Sequence, residues 1–314
     1  MRRPVAHLRV ILLSLVVFVT LPAAATLASG KPKPRKIDVQ PSFPVRATIY
    51  YPWFPEGWTA KGVFPQTRYK PTLGYYNLDD ASVVRQQLRA MQYGRIRLGI
   101  SSWIDPGNVT DRRFARLLAL TTGRFRWAVY YEREGTSDPT PSQIRSDLLY
   151  IKTRYGSRHS YFRVRGRFAV FVYNPDNRNC DVADRWRAAN TVGAYVVLQV
   201  FPGYQSCANQ PAGWHEYGGG PNGVDQSPYS FTIMPGFFKR NETAPLFPRD
   251  LVRWRRNVRA MVASKARFQI VTSFNEWFEG TAVESAQEWA TRSGYGAYLD
   301  ALHAVPTSPV KRRR

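Results

Sequence analysis

The sequence predicts an α/β protein built as a single (β/α)8 barrel, and two observations support this fold class. Short runs rich in β-branched and aromatic residues recur along the chain, and longer stretches with helical spacing of apolar residues separate them. The chain has 314 residues, of which 44% are hydrophobic, so it is long enough to bury one large core. A doubly wound open sheet is the alternative arrangement of the same units.

Seven segments have the composition of buried strands, and an eighth candidate at 214–217 is weaker. The seven predicted strands cover residues 46–51, 95–101, 126–131, 168–173, 194–201, 230–234 and 268–274. The helices predicted between and after them cover 80–93, 112–120, a segment starting at 141, 182–190, 247–264 and 296–303. Thr140, Pro141 and Gln143 have the pattern of an N-cap, a first-turn proline and a capping box.

The N-terminus has the three zones of an export signal, which predicts a secreted protein. Residues 1–30 start with bases, continue with an apolar run at 10–21 and end in small residues. The apolar run is short for a membrane span, so we expect membrane attachment only if this segment is not cleaved. We assign 31–44 to a basic, proline-rich linker, 45–304 to the barrel and 305–314 to a basic tail, and we expect a monomer.

The charge is strongly positive, but much of it is terminal. The sequence has 45 Lys and Arg against 22 Asp and Glu, a net charge of +23. Eleven bases lie in the first 36 and last four residues, which leaves 34 bases against 22 acids, or +12, for 37–310. No run of bases in the body interleaves with aromatic residues as a stacking groove for bases requires, so we do not expect nucleic acid as a partner.

The cysteines predict one disulfide and no metal site. In an oxidising compartment the two cysteines, Cys180 and Cys207, are expected to pair, and they follow neighbouring predicted strands. The alternative is two free thiols used in redox chemistry. The four histidines are too scattered to complete a metal site, and we expect neither a metal nor another cofactor. We expect His215, beside Glu216, to be a solvated or hydrogen-bonded residue, and the alternative is that it enters the cleft.

In a parallel barrel, function gathers at the carboxyl ends of the strands, and here these ends are aromatic and polar. Sugar rings stack on aromatic rings, and their hydroxyls bond to carboxylates and amides, so this composition suits a carbohydrate ligand. The alternative is that these aromatics only close the top of the core. The predicted substrate-binding residues are Tyr51, Trp53, Trp103, Tyr131, Glu132, Tyr173, Asn275 and Trp277.

Glu276 and Glu279 are the predicted catalytic pair. Glycoside cleavage needs one protonated carboxyl group for the leaving oxygen and one ionised carboxylate as base or nucleophile. Two glutamates three residues apart at the end of the last strand can face one cavity, and Gly280 would let the loop turn. An isolated pair with this spacing can equally be two exposed loop acids. No G-x-S-x-G, Walker or H-E-x-x-H motif offers another scheme.

The segment TSFNEWFEGTAVESA, at 272–286, resembles the signature of the endo-α-mannosidase and endo-α-mannanase family, glycoside hydrolase family 99. IYYPWF, at 49–54, is similar to the first strand and loop of that family, and the likeness in strand order extends over about 45–304. The segment differs from the signature at Phe278, where the family often has His or Gly, and at Ser285, where it usually has Pro. The resemblance implies a (β/α)8 barrel.

The resemblance also implies roles for the two glutamates. Glu276 corresponds to the base that acts on the substrate's own 2-hydroxyl, which attacks the anomeric carbon to give a 1,2-anhydro sugar. Glu279 corresponds to the general acid for the leaving group, which then acts as base for water. Glu284 matches a family acid to which no role is assigned here. The implied function is a retaining, endo-acting hydrolase of α-mannan or mannose-containing glycan.

Two other functions remain open from the sequence. The first is a catalytically silent barrel that binds glycan or cell-wall polymer, with its basic surface attracted to anionic chains. The second is another barrel glycosidase, of the α-1,3-glucanase type. Both alternatives are compatible with the aromatic strand ends. A measurement of which glycans the protein hydrolyses is therefore needed to distinguish them from the first hypothesis.

Overall fold

The fold is described from a computed structural model that covers residues 39–175 and 179–308. The predicted export signal, the linker up to 38 and the tail from 309 lie outside these residues, so their assignments stay predictions. The described residues form ten strands, β1 Val45–Tyr50, β2 Leu98–Trp103, β3 Arg126–Tyr131, β4 Arg163–Val164, β5 Arg167–Val172, β6 Tyr195–Gln199, β7 Gly213–His215, β8 Val224–Gln226, β9 Ser230–Ile233 and β10 Phe268–Val271. The helices are α1 Ala81–Tyr93, α2 Val109–Leu120, α3 Pro141–Ile151, α4 Asp181–Ala189, α5 Leu251–Ala263 and α6 Ala297–Ala304.

Eight of these strands run parallel in a nearly closed barrel, in agreement with the predicted fold class. Their hydrogen-bonded order is β7, β6, β5, β3, β2, β1, β10 and β9, with β8 antiparallel at the β9 edge and β4 antiparallel to β5. All seven predicted strands are present, and the weaker candidate is β7. At the seam between β7 and β9, the Thr232 hydroxyl donates to the carbonyl of Glu216 at 2.7 Å.

The barrel strands separate two buried layers, because successive side chains of a strand point to opposite faces. Inside the barrel, one cluster packs residues such as Ala47, Ile100, Ala128 and Phe171. A larger cluster outside the barrel packs the other strand face against the helices, for example around Trp127. Each strand therefore contributes alternately to the barrel interior and to the helix layer.

Capping side chains set where several helices begin. Asp80 and Asn108 accept hydrogen bonds from backbone N–H groups in the first turns of α1 and α2, and Asp250 does the same for α5. The capping box predicted at Thr140 and Gln143 is present at the start of α3. These caps fix the points at which the upper loops, which follow the carboxyl ends of the strands, turn into helices.

The predicted disulfide joins Cys180, at the start of α4, to Cys207, directly after a single 3-10 turn. It ties the loop after β5 to the loop after β6, both at the upper end of the barrel. Across the described ranges, no helix combines the length and the apolarity that crossing a bilayer requires.

Candidate active site

A cavity of about 340 Å³ opens at the carboxyl ends of the strands, which is the upper end of the barrel. Its size falls within the range of sites that bind small molecules or a few sugar units. We call it the upper cavity. It is lined by Tyr51, Trp53, Phe54, Gly57, Ala60, Gln66, Glu132, Tyr173, Tyr217, Glu276, Phe278 and Glu279.

A tight turn after β10 presents both predicted catalytic glutamates to this cavity. The backbone N–H of Glu276 donates to the Ser273 hydroxyl at 2.7 Å, and the N–H of Thr281 donates to the carbonyl of Glu276 at 3.2 Å. Gly280 has a φ of +66°, as the sequence predicted for a turning glycine. A Cβ on Gly280 would also lie 2.7 Å from the carbonyl oxygen of Phe238. The two glutamates therefore face one cavity and are not exposed loop acids.

Glu279 belongs to a short chain of hydrogen bonds across the cavity wall. The Tyr217 hydroxyl donates to Glu279 Oε2 at 2.5 Å, and the Tyr51 hydroxyl donates to the Tyr217 oxygen at 3.1 Å. Burial raises the pKa of Glu279, while the Tyr217 hydrogen bond and the positive charge of Lys239 oppose that rise. Glu279 is half-buried, so its carboxyl group can be reached from the cavity.

Glu276 is more deeply buried, with only 4% of its surface exposed. Its Oε1 accepts a hydrogen bond from the N–H of Phe278 at 3.1 Å, and its Oε2 has no hydrogen-bond partner among the described residues. Burial, then the charge of Glu279, raises the pKa of Glu276 well above its ordinary range. The two groups titrate as a pair, and burial favours a state in which the pair retains a proton.

Glu132 is a third carboxyl group in the upper cavity. Its Oε1 is buried and has no hydrogen-bond partner among the described residues. Burial raises the pKa of Glu132 to about 7, and the negative charge of Glu279 adds to the rise. A buried carboxyl oxygen without a protein partner is costly unless a ligand or a proton satisfies it. Glu132 can therefore accept a hydrogen bond from a substrate hydroxyl.

The predicted sugar-binding residues at the strand ends fall into two groups, because successive side chains of a strand point to opposite faces of the barrel. Tyr51, Glu132 and Tyr173 follow inward-facing positions of β1, β3 and β5 and line the upper cavity, as does Trp53, whose ring stacks on Tyr51 at 4.3 Å between centroids. Trp103 and Tyr131, in contrast, lie in the helix layer.

Trp103 and Tyr131 donate hydrogen bonds to carboxylates of the neighbouring helices. Trp103 Nε1 donates to Asp111 at 2.7 Å, and the Tyr131 hydroxyl donates to Asp147 at 2.8 Å. Neither side chain lines the upper cavity. The prediction selected residues by their position at strand ends, without counting the two-residue period that turns Trp103 and Tyr131 outward.

Asn275 and Trp277 are buried residues of the turn that carries Glu276 and Glu279. Neither side chain lines the cavity. The Asn275 side chain accepts from the N–H of Tyr51 at 2.8 Å and donates to its carbonyl at 2.9 Å, which joins the turn to the end of β1. Trp277 Nε1 donates to the Tyr76 hydroxyl at 3.0 Å. Both residues thus position cavity residues.

Glu284 lies behind the turn, outside the upper cavity. Its carboxylate accepts from the Tyr76 hydroxyl at 2.7 Å and from Gln87 at 2.9 Å. Burial raises its pKa to about 7. Glu284 is therefore linked through Tyr76 to Trp277, and it has no direct access to substrate in the upper cavity.

Six residues that line the upper cavity were not among the predicted site residues, namely Phe54, Gly57, Ala60, Gln66, Tyr217 and Phe278. Tyr217 ends the weaker eighth strand candidate, and counting strand alternation through that segment would have selected it. Gln66 lies in the loop between β1 and α1, and no pattern in the sequence marks it. Phe278, one of the departures from the family signature, is half-buried and lines the upper cavity beside the two glutamates.

His215 is buried inside the barrel, as a structural residue. Its Nε2 lies 3.0 Å from the carbonyl oxygen of Val172, and burial lowers its pKa to about 4, so its ring is neutral. Within residues 39–175 and 179–308, no three His, Cys, Asp or Glu side chains are grouped closely enough to hold a metal ion.

The chain shares its fold with known glycosidase structures. No protein-family model and no curated protein matches the sequence. Two structures of the GH99 endo-α-mannosidase from Bacteroides thetaiotaomicron, one in complex with bis-tris-propane, are 17% and 16% identical, both with a TM-score of 0.65. The matches cover 84% of this chain and 96% and 97% of theirs. A structure described as a glycoside hydrolase-like protein is 15% identical over 87% of this chain and 96% of its own, with a TM-score of 0.62.

At these identities the comparison establishes the fold. The chain has a glycoside hydrolase-like barrel of the GH99 type, as the resemblance at 272–286 implied.

Proposed function

We propose that this protein is a secreted, retaining glycoside hydrolase that cleaves α-mannan or mannose-containing glycan internally. One observation carries the proposal: Glu276 and Glu279 face the same aromatic-lined cavity at the upper end of a GH99-like barrel. The aromatic rings of Trp53 and Tyr173 offer stacking surfaces for sugar rings, and Glu132 offers an acceptor for a hydroxyl. The glycan is the only partner that the proposal requires.

In the proposed reaction, the Glu276 carboxylate removes the proton from the 2-hydroxyl of the bound sugar. The resulting oxygen attacks C1 while the protonated Glu279 gives its proton to the departing glycosidic oxygen. The product of this step is a 1,2-anhydro sugar. Water then attacks C1 and gives a proton to Glu279, the C1–O2 bond breaks, and Glu276 returns its proton to O2. Two inversions at C1 give net retention.

The reaction needs Glu276 ionised and Glu279 protonated when the sugar is bound. A 2-hydroxyl that donates to Glu276 stabilises the carboxylate form of that residue. A glycosidic oxygen is only an acceptor, so it stabilises the protonated form of Glu279. Substrate binding therefore favours the proton distribution that the reaction needs.

The same chemistry favours mannose over glucose. The axial 2-hydroxyl of an α-mannoside lies trans to the leaving group and can approach C1 from the opposite side. The equatorial 2-hydroxyl of an α-glucoside lies on the same side as the leaving group and has no such approach. An α-glucanase would need a different use of the two glutamates, so the α-mannan reading is preferred.

The test is hydrolysis of a panel of α-mannans and α-glucans by the purified protein, measured as release of reducing ends. We expect turnover of an α-mannan, retained configuration in the first-formed product by NMR, and a loss of about 10²-fold or more in Glu276→Gln and Glu279→Gln. Glu288→Gln is the matched control, because Glu288 is an exposed glutamate away from the cavity.

Full activity in both catalytic variants, or an inverted product, would refute the mechanism. Binding to a glycan of the panel without turnover by the unmodified protein would favour the silent glycan-binding barrel. Turnover of α-glucan alone would favour the α-glucanase alternative.

A further inference from the structure

A second cavity, of about 510 Å³, lies at the opposite end of the barrel from the glutamates. We call it the lower cavity. Its walls come from the amino-terminal ends of the parallel strands. Phe43 precedes β1, Arg167 and Tyr195 begin β5 and β6, Ala212 precedes β7, and Arg267 precedes β10. It is thus separate from the catalytic end of the molecule.

The lower cavity is strongly basic. Four arginines line it, namely Arg163, Arg165, Arg167 and Arg267, and none of the described residues that line it is acidic. Bringing four cations together around one concave surface costs electrostatic free energy through their mutual repulsion. An anion in the cavity would remove that cost.

Two of these arginines are fixed by the backbone. Arg163 donates to the carbonyls of Gly156 and Arg158 at 2.6 and 2.9 Å, and Arg167 donates to the carbonyls of Gly193 and Ala194 at 3.2 and 2.5 Å. Carbonyl oxygens orient a guanidinium group. These hydrogen bonds therefore hold the two side chains in place in the cavity wall.

The guanidinium N–H groups of the other two arginines are available to a ligand. The guanidinium groups of Arg165 and Arg267 make no hydrogen bond or ion pair with the described part of the chain, and both residues are exposed. Arg165 sits in the turn between β4 and β5 with a φ of +50°. A guanidinium group can bind two oxygens of a phosphate or carboxylate at once, through two parallel hydrogen bonds. The guanidinium groups of Arg165 and Arg267 are therefore suited to bind an anion.

Aromatic residues form the floor of the lower cavity. Phe43 and Tyr195 line it, and both pack against Phe268 inside the barrel, with ring centroids 5.1 and 6.5 Å away. Phe162 and Phe171 surround the same ring, so this group fills the lower barrel interior. An aromatic floor with charged walls suits a ligand that has both a ring with apolar faces and an anionic group.

We propose that the lower cavity binds an anionic carbohydrate, with its phosphate or carboxylate on Arg165 and Arg267 and its sugar ring on the aromatic floor. This site does not depend on the proposed function of the upper cavity. It would hold the protein on an acidic glycan while the upper end faces away from the contact.

The experiment is calorimetric titration of the whole protein at about 0.15 M salt, where charges on an open surface are largely screened. The probes are α-D-glucose 1-phosphate and D-glucuronate, with neutral methyl α-D-glucoside as the reference. We expect one or both anions to bind at least about tenfold more tightly than the neutral sugar. Which anion binds distinguishes a phosphorylated from a carboxylated glycan as the source.

The double variant Arg165→Gln/Arg267→Gln should weaken binding of the anion by about tenfold or more. The matched control, Arg255→Gln/Arg259→Gln, removes the same charge from exposed positions of α5. Both double variants should keep the mannanase activity of the unmodified protein. Equal losses of binding in the two variants, or no preference for either anion, would overturn the proposal whatever the activity of the upper cavity proves to be.

Discussion

The Tyr217 hydroxyl controls the protonation of the proposed general acid, because it donates directly to Glu279. Removing this donor with Tyr217→Phe destabilises the Glu279 carboxylate and raises the pKa of that group. The alkaline limb of kcat/KM reports loss of the proton from the acid, so we expect it to move to higher pH. We also expect kcat/KM to fall about tenfold, from the loss of one charge-assisted hydrogen bond.

The measurement is the pH profile of kcat/KM on the α-mannan that the panel selects. Tyr75→Phe serves as the control, because Tyr75 is an exposed tyrosine outside the upper cavity. An alkaline limb that stays in place or moves to lower pH in Tyr217→Phe would contradict the assignment of Glu279 as the acid.

At the level of single residues, the sequence predicted the catalytic pair because a spaced motif and a family signature coincide at 272–286. It did not separate cavity residues from packing residues. Tyr130 and Tyr131 look equivalent in sequence, yet one is part of the cluster inside the barrel and the other is part of the helix layer. Composition alone carries no information on that difference, whereas the phase of the two-residue period does.

At the scale of elements, strands and helices were predicted well and their ends less well. The second strand was expected from Arg95 but begins at Leu98, because Arg95 has a φ of +59°, outside the extended region. The strands β4 and β8, with two and three residues, are too short for any periodic signal and were not predicted. The last strand ends at Val271, because the chain then enters the turn that carries Glu276 and Glu279.

The disulfide between Cys180 and Cys207 belongs to this scale, because it joins two upper loops that are 27 residues apart in sequence. In the chain-entropy description, a loop of this length gives roughly 3.5 kcal/mol of stability. We therefore expect Cys180→Ser/Cys207→Ser to lower the free energy of unfolding by about that amount, measured by urea denaturation. The unmodified protein under reducing conditions should show the same loss, and equal stability of the two oxidised proteins would contradict the prediction.

At the scale of the whole molecule, buried acids make stability depend on pH. Glu132 and Glu284 have folded-state pKa values of about 7, raised mainly by burial. Between their ordinary pKa, about 4.5, and pH 7, the folded protein binds more protons than the unfolded chain, so stability falls as pH rises. Each group contributes up to about 3 kcal/mol to this fall.

Glu284→Gln removes one of these titrating groups, so its unfolding free energy should fall less than that of the unmodified protein between pH 5 and 7.5. Denaturation at several pH values measures the difference, with the exposed Glu288→Gln as the control. A slope in Glu284→Gln equal to that of the unmodified protein would mean that Glu284 is ionised throughout this range.

The alternation of side chains along each strand limits how the upper cavity can be reshaped. Residues next to each other in β1 or β3 point alternately into the barrel interior and into the helix layer. Inserting or deleting one residue within a strand would exchange the two sets and destroy both at once. New specificity is therefore expected to arise through point replacements such as that at Phe278 and through loops of altered length, with the strands themselves conserved in register.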